Sequence, residues 1–213
     1  MAFEIICFDC DSTLSKIEGI DELAKRAGMG SEMAKLTDAA MNGEVPLEAV
    51  YERRLSLIRP HQDSISWLSE LYVAEMVAGV ADVFARLHEA GKTVHIISGG
   101  LRQAILPLAA HLGVADSHVH AVDIFFNPDG SYQNFDTDSP LARNGGKAEV
   151  CQRLGKGAGA MVMVGDGKTD MEAKQAGAYV LGFGGVVDRP IVRDLADFYS
   201  TETNLLWVLE KVL

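Results

Sequence analysis

The chain has 213 residues, 48% of them hydrophobic, enough to bury a core in one large domain or in a core with a smaller companion. Its 19 Lys and Arg stand against 30 Asp and Glu, and the net charge of −11 argues against nucleic acid or an anionic membrane surface as a partner. No apolar run approaches the roughly 18 residues of a membrane span, and Met1-Ala2-Phe3-Glu4 lacks the basic stretch of a secretion signal, so a cytoplasmic location is expected.

Phe3 to Phe8 reads as a short buried strand that runs straight into Asp9-Cys10-Asp11. Two carboxylates at the end of such a strand cost on the order of several kcal/mol unless something compensates their charge. Residues i and i+2 of an extended chain point to one side. Both carboxylates can therefore reach one small volume, where they repel each other unless a cation or a shared proton joins them. Cys7 and Cys10 match C-x-x-C, but redox pairs of that kind open a helix; on a strand the odd separation sends the thiols to opposite faces. They read as small core residues.

From Ser15 to about Met76 there are helical patterns and no convincing strand. That block of roughly 60 residues far exceeds the usual βα loop, so it reads as a helical cap inserted above the aspartates. The expected division is a core of residues 1–14 and 77–213 and a cap of residues 15–76. Beyond it, helical patterns at Val80–Ala90, Leu101–His111, Lys147–Leu154 and Asp170–Ala176 alternate with strands at Thr93–Ile97, Ala160–Val164 and Ala178–Phe183. This alternation predicts an α/β, Rossmann-like fold: a parallel sheet with helices on both faces. Residues 125–132, "FFNPDGSY", predict a hairpin around a Pro-Asp-Gly turn.

Open α/β sheets bind ligands outside the carboxyl ends of their strands. The second strand exits into Ser98-Gly99-Gly100, a hydroxyl and free backbone N–H groups ahead of a helix, which make an anion site. The third exits into Gly165-Asp166-Gly167-Lys168-Thr169-Asp170, and Lys147 follows Gly145-Gly146 at a helix start. Hard acids beside an anion site point to magnesium. Other readings compete for single residues. Thr169 with Glu172 forms a capping box. Gly167-Lys168-Thr169 imitates the end of a Walker loop, but Val162 stands where its first glycine belongs. His118 and His120 share one strand face, as metal ligands or, more commonly, as surface histidines of an edge strand.

In order, Asp9-x-Asp11-x-Thr13, Ser98, Lys147 and Gly165-Asp166-Gly167-x-Thr169-Asp170 resemble the haloacid dehalogenase superfamily of phosphatases. "DSTLSKIEGIDELAKRAG", "AMNGEVPLEAVYERRLSLI", "ISGGLR", "NGGK", "GDGKTDMEA" and "GFGGVV" are similar, also in order, to its phosphoserine phosphatase family, from about residue 3 to 200. The resemblance implies hydrolysis of O-phospho-L-serine to L-serine and phosphate, the last step of serine biosynthesis. It makes Asp9 the nucleophile, giving an aspartyl-phosphate, and Asp11 the acid and then the base. It implies Mg2+ on the carboxylates of Asp9 and Asp166 and the backbone carbonyl of Asp11, with Asp170 as a ligand or just behind. Ser98, the Gly99 and Gly100 amides and Lys147 would hold the phosphoryl oxygens. In the cap, Glu18 would meet the substrate ammonium and Arg54 its carboxylate, with Met41 and Leu47 on the apolar side. Leu47, Asn42 and Lys168 depart from the family's common residues, and the first two leave substrate preference open. The rival readings are a related phosphatase of phosphohomoserine, phosphothreonine or another small phosphomonoester, and a non-catalytic phosphate-binding regulator. The oligomeric state is not legible.

Overall fold

The computed structural model describes residues 3–42, 44–156 and 159–213, the side chains of residues 32 and 34 aside. The first strand, β1 (Phe3–Phe8), lies in the middle of the sheet, and Ile6, Cys7 and Phe8 are wholly buried. A strand covered on both faces needs an unbroken apolar run, which Ile5-Ile6-Cys7-Phe8 supplies.

Four helices follow before the next strand: α1 (Gly19–Arg26), α2 (Gly30–Met41), α3 (Leu47–Ile58) and α4 (Gln62–Ala74). The two ends of this block are tied to each other. Ser15 bridges Met76 antiparallel, Lys16 N–H donates to Glu75 O at 2.9 Å, and Val77 N–H donates to Leu14 O at 2.9 Å.

The chain then alternates. α5 (Val80–Glu89) leads to β2 (Thr93–Leu101), α6 (Arg102–His111) and β3 (Val119–Val122). β4 (Ile124–Phe126) and β5 (Tyr132–Phe135) form the predicted antiparallel hairpin. Gly130, at φ +82°, closes its turn, and the Gly130 carbonyl accepts a bond from Gln62 N–H at 2.9 Å, which seats the hairpin against the start of α4. α7 (Gly146–Leu154), β6 (Ala160–Gly165), α8 (Lys168–Met171), β7 (Tyr179–Phe183), α9 (Pro190–Leu195), β8 (Phe198–Ser200) and α10 (Trp207–Val212) complete the order. The six-stranded sheet runs β3-β2-β1-β6-β7-β8 with every pairing parallel, flanked by helices.

Four elements differ from the reading of the sequence. β3 and β8 are edge strands of four and three residues, too short to show an apolar run. The helix expected over 170–176 is instead one α-helical turn, α8, followed by a 3-10 helix at Glu172–Ala176. β2 runs on through Leu101, so Ser98-Gly99-Gly100 belongs to the strand and not to a loop. No helix among the described residues is long and apolar enough to cross a membrane.

α5 seals the sheet beneath β1: the Phe84 ring, 1% exposed, lies 4.9 Å from that of Phe8. Phe84→Ala should therefore cost about 3–5 kcal/mol of stability. Urea unfolding should show this as a lower midpoint with an unchanged slope.

Candidate active site

Asp9 continues the path of β1, its N–H donating to Val164 O of β6 at 2.9 Å. The chain then curls. Cys10 O accepts from the N–H groups of Thr13, Leu14 and Ser15, and Ser12 sits in the left-handed region at φ 50°. The curl brings Gly19 N–H to Asp11 Oδ1 at 2.7 Å. From the adjacent strand β6 comes Asp166, bonded by Thr13 Oγ1 at 3.2 Å. One turn later Asp170 accepts from Gly167 N–H at 2.9 Å and ties down the start of α8. Asp170 thus does the capping expected of Thr169 and Glu172. Glu172 instead accepts Gly145 N–H at 2.7 Å and steadies the loop before Lys147. At the first position of α7 Gly146 permits a close approach that any side chain would block, since a Cβ there would stand 1.8 Å from Pro140 O.

Lys147 Nζ lies 2.9 Å from Asp9 Oδ2 and 2.6 Å from Asp170 Oδ1, all three side chains buried. Burial works against its charge, but Asp170 and Asp9 outweigh that, and its pKa is raised. The acids remain under-compensated. Burial, then the charge of Asp9, pushes Asp166 up to about 7 against the pull of Arg189 and Lys147, and Asp170 up to about 8 against that of Lys147. Carboxylate oxygens of Asp9, Asp166 and Asp170 lie within 4.8 Å of one another. Three hard oxygen donors, buried and short of positive charge, fit a small divalent cation. The carboxylate of Asp11 is not in that group; it faces Gly19 and Tyr72. Burial and Asp9 raise Asp11 to about 6, while the bonds from Tyr72 and Gly19 lower it.

Opposite these acids, the β2–β3 ladder breaks between Ile97 and Leu101, so Ser98, Gly99 and Gly100 bulge out at the strand end. The amides are not those of a helix start: Gly100 N–H donates to Ser98 Oγ at 3.0 Å.

The inserted helices close the pocket. Arg54 is 3% exposed on α3, while Arg53, about 100° round the helix, faces solvent. Arg54 Nη1 donates to Thr37 Oγ1 at 2.8 Å, and Thr37 in turn donates to Asp21 at 2.5 Å. Its buried Nε has no partner among the described residues. Glu18, still 22% exposed, accepts from Ser12 Oγ at 2.7 Å. Burial, with the charges of Asp11 and Asp166, holds its carboxyl well above the usual range. One pocket gathers every expected site residue, Met41 and Leu47 included, except Asp170, which is fully buried behind Lys147.

Three lining or supporting residues escaped the sequence reading. Arg189, 3% exposed, stands 3.4 Å from Asp166, 3.3 Å from Asp38 and 3.8 Å from Glu18. Its one sequence signal is a cation just past the exit of the fourth predicted strand. Arg143 lines the pocket beside Asn144. Tyr72 reads as an ordinary apolar position of a helix. His118 and His120 join no metal-binding group among the described residues. They cluster with His95, whose Nδ1 is 3.1 Å from His120 Nε2 and whose pKa burial and its neighbours lower to about 4.

A buried lysine between carboxylates, at the mouth of a parallel sheet and under inserted helices, defines a class. A family model described as haloacid dehalogenase-like hydrolase matches residues 3–177. The chain is 38% identical to the phosphoserine phosphatase of Bos taurus over 211 residues, covering 98% of this chain and 94% of that one. A phosphoserine phosphohydrolase-like protein from Francisella tularensis superposes with TM-score 0.88 at 25% identity, and a phospho-aspartyl intermediate analogue of phosphoserine phosphatase with 0.86 at 25%; each comparison covers both chains fully. The chain belongs to the haloacid dehalogenase-like hydrolases and, within them, to the phosphoserine phosphatase family.

A raised carboxyl pKa means that the folded state binds protons more tightly than the unfolded chain, so it costs stability as pH rises through the window from about 4 to about 8 set by Asp166 and Asp170. A divalent cation should relieve that cost where the acids are ionised. Thermal unfolding should therefore show a larger cation-induced rise in Tm at pH 8 than at pH 5, and Asp166→Asn should shrink the difference.

Proposed function

We propose that the protein hydrolyses O-phospho-L-serine to L-serine and phosphate by way of an aspartyl-phosphate on Asp9. The observation that carries this reading is Arg54: a buried guanidinium with an unpartnered Nε, in the same pocket as Asp9 and Lys147. A guanidinium taken out of water calls for a carboxylate, bonded at more than one nitrogen. Glu18, in the same pocket, suits an ammonium. The complementary ligand has a phosphate at one end and an amino acid's two charges at the other. The relatives named phosphoserine phosphatase support the same substrate.

In this reading Asp9 attacks phosphorus while Asp11 protonates the departing seryl oxygen. Asp11 then takes a proton from the water that hydrolyses the aspartyl-phosphate. Lys147, with Ser98 and the Gly99-Gly100 backbone, holds the phosphoryl oxygens and eases the approach of an anionic ester to an anionic nucleophile. Asp9 and Asp166, the Asp11 carbonyl and Asp170 in support would hold magnesium, which when bound supplies the positive charge that the transferring phosphoryl group needs. Residues 15–76 act as the cap that selects the substrate, and residues 1–14 and 77–213 as the core that performs the chemistry. The setting is the last step of serine biosynthesis in the cytoplasm.

Phosphate release from phosphoserine should require magnesium and stop in chelator, and Asp9→Asn should abolish it while the circular dichroism spectrum stays unchanged. Full turnover in chelator would overturn the metal-assisted reading. The substrate assignment has its own test. Arg54→Ala should lose about 2–5 kcal/mol of transition-state stabilisation, roughly 30-fold to several-thousand-fold in kcat/KM for phosphoserine. Phosphoethanolamine, which has no carboxylate, should be a poor substrate for both enzymes to about the same degree, and the exposed Arg53→Ala should change little. Normal phosphoserine turnover by Arg54→Ala would leave a phosphatase with another substrate.

A further inference from the structure

We infer that Tyr72 is a positioning residue that fixes which oxygen of Asp11 carries the proton to the leaving group, an inference that rests on the phosphatase reading above. The Tyr72 side chain is wholly buried, and its hydroxyl donates to Asp11 Oδ1 at 2.7 Å. Gly19 N–H donates to the same oxygen, also at 2.7 Å. An oxygen that already accepts two hydrogen bonds is the carbonyl-like oxygen of a protonated carboxyl, so the proton resides on the other one. That other oxygen faces the reacting centre. A Cβ added to Gly100 would stand 2.8 Å from Asp11 Oδ2 and 3.2 Å from Ser98 Oγ, which places Oδ2 beside the phosphoryl cradle.

The phenol is held there by the fold. The end of α4 is bound to the turn that follows Asp11, through Ser15 Oγ to Glu75 O at 3.2 Å and the backbone bonds of Lys16 and Val77. Gly19 leaves the phenol its space, since a Cβ there would come within 2.0 Å of the Tyr72 hydroxyl. Burial raises the Tyr72 pKa and keeps the hydroxyl a donor.

The step that Tyr72 serves is balanced. Asp11 Oδ2–H gives its proton to the seryl oxygen as the phosphorus–oxygen ester bond breaks and the bond from Asp9 to phosphorus forms. The carboxylate left on Asp11 keeps both bonds to Oδ1 and later receives a proton from the attacking water. Without the phenol, Oδ1 keeps a single donor, and the carboxyl can turn or carry its proton on the wrong oxygen.

The leaving group supplies the test. A seryl alkoxide needs the proton, whereas p-nitrophenolate leaves without one, and kcat/KM reports steps up to that departure. Tyr72→Phe in the magnesium-loaded enzyme should lose about 10- to 100-fold in kcat/KM on phosphoserine with KM little changed, the range expected for one hydrogen bond to the charge that develops on Asp11 as its proton leaves. On p-nitrophenyl phosphate it should lose at most about threefold, since no proton is needed there. In an Asp11→Asn background the same substitution should cost nothing more. Gly19→Ala, whose methyl displaces the phenol, should show the same selective loss should Tyr72→Phe fold poorly. Equal losses on the two esters, an additive loss in the Asp11→Asn background, or full phosphoserine activity in Tyr72→Phe would each overturn the inference. A wild-type enzyme inert on both esters would overturn the phosphatase reading and this inference with it, whereas the other failures touch Tyr72 alone.

Discussion

Negative charge crowded into a buried volume is the constraint on which this structure turns. Asp9 and Asp166 leave adjacent parallel strands, β1 and β6, whose backbones run roughly 4.8 Å apart. Asp170 is brought to them by the start of α8. The ammonium of Lys147 lies between Asp9 and Asp170, and the guanidinium of Arg189 lies against Asp166. Neither cation settles the balance, for burial still holds Asp166 and Asp170 far above their ordinary range. A core under that stress is a receptor for further positive charge. Once the charge is supplied, it becomes a receptor for an anion.

The inserted helices respond to the same field. Arg189 reaches from the core to Glu18 and Asp38, so the cation that balances Asp166 also holds the helical layer down. Tyr51 donates to Gly99 O at 2.9 Å, and Leu47 N–H to Asn144 Oδ1 at 3.3 Å. Each contact lands beside a residue that lines the pocket: Gly99 next to Ser98, Asn144 three residues before Lys147. The same helix, α3, carries Tyr51, Leu47 and Arg54, so the layer's contacts with the core and the buried guanidinium share one support.

What the sequence shows in advance depends on how local the cause is. β1 and its two aspartates are plain because a strand buried on both faces must be apolar without interruption, and the acids break that run abruptly. The Ser98-Gly99-Gly100 segment misleads because a glycine pair usually ends a strand, whereas here a bulge absorbs it and β2 continues to Leu101. Arg54 is separated from Arg53 by the family resemblance alone, and the structure supplies the reason in the angle between helical neighbours. Tyr72 gives no local signal, and Arg189 only that of a cation past a strand exit. Their partners lie 61 and 23 residues away, and nothing in the local pattern of either marks the meeting.

The position of Asp11 explains why the insertion sits where it does. Its Oδ1 is bound from both ends of the helical block, by Gly19 at the opening of α1 and by Tyr72 near the close of α4. Its Oδ2 looks the other way, toward the bulge of β2. Asp11 is therefore held by the stem of the insertion, whereas Asp9 is held by the core. The Ser15–Met76 bridge ties the two strands of that stem together. Asp9 and Asp11, two residues apart in sequence, thereby receive separate supports. One carboxylate is set by the sheet and its cations. The other is set by hydrogen bonds from the insertion, so that one of its oxygens is free to carry a proton.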